Sequence, residues 1–175
     1  GGHSDVMGGV VVGNPDNGLF QRIQRIQKLC GAIPSPFDCW LLLRGIETLP
    51  IRMRAISDNA MQIAQYLSNH SQIEQVLYPG LETHEGYEVA KSQMSAFGGL
   101  MSILVKGDQT SAMQVASNVK VFTRATSFGG THSLIEHRAS MESPDTKTPK
   151  NLLRLSIGLE HVDDLIADLD QALAS

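Results

Sequence analysis

The sequence predicts an α/β chain whose second half is a sheet covered by helices on one side. Three observations carry that prediction. From residue 73 onward, short apolar runs of strand length alternate with amphipathic helical patterns. Between residues 17 and 70 the patterns are helical and carry start and stop signals. Composition then makes a packed core feasible, with 42% hydrophobic and 18% charged residues over 175 positions. A net charge of −4 supplies no basic field for nucleic acid or an anionic membrane. No apolar run approaches the ~20 residues that span a bilayer. The opening Gly1-Gly2-His3-Ser4-Asp5 has neither a basic region nor an apolar stretch, so no signal peptide and a cytoplasmic protein are expected.

In order, Val10–Val12 is a candidate strand, flanked by glycines that would form a loop approaching a ligand. Leu19, Ile23, Ile26 and Cys30 recur at helical spacing until Gly31 ends the pattern. Ser35 and Pro36 suit the start of a second helix, whose Trp40–Leu43 segment reads as core. Cys30 and Cys39 are expected as buried, reduced thiols. Met53, Ile56, Ala60, Ile63 and Leu67 form one stripe of a long helix between Pro50 and His70. Strands are then expected at 73–77, 100–105, 120–122 and 152–157, and helices at 85–94, 110–118 and 162–173. The polar loop Ser140–Lys150, with Pro144 and Pro149, reads as an ordered excursion near a site.

Two features look chemical. Ser127-Phe128-Gly129-Gly130 is a turn whose glycines permit what a Cβ would block. Arg154 stands in the run Leu152-Leu153-Arg154-Leu155, where alternation points it away from Leu153 and Leu155. It is either a surface charge or the anchor of a small anion, a carboxylate being the best match to its fork of donors. His132 to His137 imitates a zinc motif, but its spacing is wrong for one. It reads as a capped helix start with surface polar groups, so no metal is expected.

Ser127-Phe128-Gly129-Gly130, Ser133–His137, Ala139-Ser140-Met141 and Leu152–Glu160 together resemble the Cys/Met-metabolism family of pyridoxal-phosphate (PLP) enzymes. Gly2–Asp5 and Ser35–Gly45 extend the resemblance over essentially the whole chain. Several things are implied by that resemblance. The fold would be the end of a fold-type I large domain, residues 1–57, followed by a C-terminal α+β domain, residues 58–175, with a mainly antiparallel sheet. Arg154 would grip the substrate α-carboxylate, flanked by Ser127 and Phe128. The cofactor would be PLP, with its Schiff-base lysine just upstream of Gly1, so the chain would hold no catalytic residue and be inactive alone. The activity would be β- or γ-elimination or replacement on cystathionine-, homoserine-ester- or methionine-like substrates, in a homo-oligomer built as a dimer of dimers. The alternative is an inert fragment that only associates. Thr126 stands where γ-lyases and γ-synthases of the family carry glutamate, and Arg138 where a proline is usual, so the resemblance selects no single activity.

Overall fold

A computed structural model describes every residue except Pro144 and Ser175. It divides into two compact units, Gly1–Leu49 and Pro50–Ser175. The first carries α1 (Gly18–Cys30) and α2 (Pro36–Glu47). Asn17 caps α1 through its side-chain oxygen, and Gly31, at φ 67°, ends it in the left-handed conformation that glycine tolerates. Ser35 caps α2 by accepting from the Asp38 N–H, with Pro36 in the first turn.

Helix α3 (Leu49–Ser68) leads into the sheet-bearing unit, which continues with β1 (Ile73–Leu77), α4 (Tyr87–Gln93), β2 (Leu100–Val105), α5 (Gln109–Asn118), β3 (Thr123–Arg124) and β4 (Leu134–His137). A 3-10 turn at Arg138–Met141, β5 (Leu152–Ser156) and α6 (Val162–Leu173) complete it. The sheet order is β1-β2-β5-β4-β3. The pairings β1 with β2, β2 with β5 and β4 with β5 are antiparallel, and only β3 with β4 is parallel. The expected mainly antiparallel sheet is therefore present.

One sheet face supplies Met101, Ile103, Val105, Ile135, Leu153 and Leu155 to the core. Against it pack Ala60, Ile63, Ala64 and Leu67 of α3, with the buried faces of α5 and α6. On the opposite face the register sets Arg154 of central β5 between Ser102 of β2 and Glu136 of β4.

Five expectations are corrected. Val10–Val12 is not a strand; its residues are exposed and have no neighbouring strand to pair with. The third strand begins at Thr123 rather than Lys120, because the backbone N–H groups of Lys120, Val121 and Phe122 donate to the Asp168 carboxylate instead of to a sheet partner. The His132–His137 stretch is a strand at 134–137, not a helix start, and Glu136 and His137 are buried. Cys30 and Cys39 are free but exposed. Trp40 and Leu43 are exposed as well, since Gly45 is the one buried residue in the Gly1–Leu49 unit. Pro144 of the polar loop lies outside the described residues.

Candidate substrate-carboxylate site

Alternation along β5 buries Leu153 and Leu155 completely and turns Arg154 to the open face, with 16% of its side chain exposed. Its guanidinium is fastened there at three points. Nη2 lies 2.8 Å from Glu136 Oε1, in the partner position of the β4–β5 ladder. The same nitrogen donates to the Thr126 carbonyl, and Cζ lies 5.4 Å from the centre of the Phe128 ring. Among the described residues Nε and Nη1 make no hydrogen bond, so one donor site on each edge of the guanidinium is left for a ligand.

The turn that meets Arg154 is held by the same strand. Ser156 Oγ, two residues along β5, accepts the Gly129 N–H at 3.0 Å. Gly129 adopts φ 77°, which explains a glycine at that point. Beyond β5, a Cβ on Gly158 would lie 2.4 Å from the Thr131 carbonyl oxygen. Close approach there lets Gly158 N–H donate to Ser133 Oγ at 2.8 Å. Glu160 in turn accepts from Ser133 N–H and Oγ–H, each at 2.7 Å. The serine, glycine and glutamate that follow Arg154 are thus buttresses of the turn and of the start of β4.

The structure brings Arg154 and Phe128 together and sets Ser127 between Phe128 and the residue whose carbonyl Arg154 engages. Ser127 is itself exposed. Glu136 is the member that sequence reasoning missed. Its side chain is 5% exposed, and its Oε1 also lies 3.3 Å from Arg138 Nη1. Its Oε2 is buried and has no hydrogen-bond partner among the described residues. Arg138 Nε continues the row, donating to Glu142 Oε1 at 2.8 Å. Glu142 Oε2 accepts from Thr148 Oγ1 at 2.6 Å and from Thr146 Oγ1. Those two hydroxyls, with Arg138, hold the Glu142 carboxyl down at about 2, against an ordinary 4.5. Glu142 and then Glu136 likewise push the Arg138 guanidinium upward.

A family profile described as "Cys/Met metabolism PLP-dependent enzyme" matches residues 1–174. The chain belongs to that family. It is 45% identical to the cystathionine gamma-synthase of Mycobacterium leprae, across 99% of this chain and 46% of that protein. It is 41% identical to the L-methionine gamma-lyase of Fusobacterium nucleatum subsp. polymorphum, across 98% and 46%. Among solved structures, metB from Corynebacterium glutamicum superimposes with a TM-score of 0.93 at 42% identity, covering 99% of this chain and 46% of that one. The chain therefore spans about half the length of the curated relatives it matches.

Family membership implies PLP, and the donor set tests where that group would be held. A guanidinium with free donors beside a glycine turn suits an amino-acid carboxylate. A Schiff-base lysine needs a desolvated amine, whereas Lys28, Lys91, Lys106, Lys120, Lys147 and Lys150 are all exposed. The Arg154 donors have the chemistry of a carboxylate site, and none of the described lysines meets the condition for a cofactor's point of attachment.

Proposed function

We propose that this chain is the carboxylate-gripping part of a PLP-dependent enzyme of sulfur amino-acid metabolism, acting by β- or γ-elimination or replacement. The substrate would be cystathionine, an activated homoserine ester or a methionine-like amino acid. In this reading residues 1–57 close the large cofactor-binding domain and 58–175 form the small domain of a cytoplasmic homo-oligomer. Bound PLP would supply an electron sink for charge developing at the substrate's Cα. This chain's work is different: Arg154 binds and orients the carboxylate, and Ser127 and Phe128 flank it. Fixing one end of the substrate converts binding energy into alignment of the bond to be broken.

One observation carries the reading: the Arg154 guanidinium is anchored through Nη2 to Thr126 and Glu136, while Nε and Nη1 have no partner among the described residues. In the full-length holoenzyme, Arg154→Ala is expected to lower kcat/KM at least tenfold, a loss of at least about 1.4 kcal/mol. The bound cofactor's colour should persist. Unchanged kinetics would remove Arg154 from the site. Turnover on cystathionine, set against turnover on an activated homoserine ester plus cysteine, separates the lyase from the synthase activity. The exposure of all six lysines favours one further statement: these residues expressed alone should neither take up the colour of bound cofactor nor turn over substrate.

A further inference from the structure

Arg154 does not face an incoming carboxylate as an isolated charge. Its Nη2 and the Nη1 of Arg138 converge on one oxygen, Glu136 Oε1, at 2.8 and 3.3 Å. Arg138 is held from the other side by Glu142 through Nε, at 2.8 Å. Charges of alternating sign thus run Arg154, Glu136, Arg138, Glu142 across the open face of β4 and the turn after it. Glu136 is nearly buried, and its second oxygen has no hydrogen-bond partner among the described residues. A carboxylate so placed aims the guanidinium, and it also opposes any second carboxylate that approaches.

We propose that Glu136 is the residue that positions Arg154, and that Arg138 sets the affinity for the substrate carboxylate by sharing the charge of Glu136. The inference rests on the reading of Arg154 as the carboxylate grip. With Arg138 drawing on Oε1, the Glu136 charge is offset and Arg154 keeps attraction for the ligand. Without Arg138, Glu136 pairs with Arg154 alone and repels the ligand's carboxylate.

The test uses the full-length holoenzyme and calorimetric binding of glycine, an α-amino carboxylate with no leaving group. Methylamine, which lacks the carboxylate, is the control. Arg138→Gln should weaken glycine binding about fivefold, the scale of a partly screened charge, and leave methylamine binding unchanged. Glu136→Gln keeps an acceptor for Arg154 without the charge. Combined with Arg138→Gln it should return glycine binding to within about twofold of the parent, because both opposed charges are then gone. Arg154→Ala, measured alongside, should weaken glycine at least tenfold. If it does, yet Arg138→Gln changes nothing or the double variant stays as weak as Arg138→Gln, the inference is overturned and the grip stands. If Arg154→Ala leaves glycine binding intact, the grip itself is overturned.

Discussion

Arg154 and Glu136 lie eighteen positions apart in the chain and 2.8 Å apart in the fold. Alternation along one strand was enough to turn Arg154 away from Leu153 and Leu155, because side-chain direction within a strand is local. Its partner was not local. Glu136 meets Arg154 only through the β4–β5 register, which no short window of sequence contains. Asp168 makes the same point in a helix. It is 4% exposed, and its oxygens accept the N–H groups of Lys120, Val121 and Phe122 at 2.7, 2.8 and 3.0 Å. Asp168→Ala would leave three backbone donors unmet, so a loss of about 3 kcal/mol is expected. Chemical denaturation should show it as a lower midpoint; an unchanged midpoint would refute the carboxylate's role.

Among the elements, helices were the easiest to read, since caps and apolar stripes act within a turn or two. Helix α6 occupies Val162–Leu173, as its pattern predicts, and strand β2 occupies Leu100–Val105. The misreadings fall where backbone groups choose distant partners. Lys120–Phe122 looks like a strand and is an Asp168-bound bend, while the His132–His137 stretch looks like a helix start and holds β4 at Leu134–His137. The segment after β4 offers a pH test. Because the folded pKa of Glu142 lies below its ordinary value, its contribution to stability is complete above about 4.5. It is lost as pH falls from there towards about 2. Protection factors, corrected for the intrinsic pH dependence of amide exchange, should fall at Arg138–Met141 and Thr146–Thr148 across that window, and Glu142→Gln should flatten the response. An equally steep response in Glu142→Gln would exclude Glu142 as the titrating group.

For the whole molecule, the sheet-bearing unit owns the core. Leu155 of β5 is fully buried in the core cluster that the sheet shares with α3, α5 and α6. Leu155→Ala should cost about 3 kcal/mol through lost burial and the cavity left behind. Urea unfolding followed by circular dichroism measures it, and a shift under about 1 kcal/mol would mean the site collapses around the gap. The Gly1–Leu49 unit differs. Its helices α1 and α2 are capped by Asn17 and Ser35, but only Gly45 is buried. Residue type alone places Trp40, Leu43, Cys30 and Cys39 in an interior, but that needs an enclosing layer the Gly1–Leu49 unit does not itself build.

The sequence by itself determined the helices, most of the buried stripe of α3, most of the strands, the placement of Arg154 on its face, and membership of the family through motifs at 127–141 and 152–160. Those depend on periodicity, caps and residue identity, which are written in neighbouring positions. Only the tertiary structure decided that Glu136 holds Arg154, that Asp168 takes the place of a strand partner, and that Arg138 and Glu142 extend the charged row. Each of those is a pairing between backbone or charged groups brought together by strand order and register, and the free energy that selects it comes from the packed core as a whole.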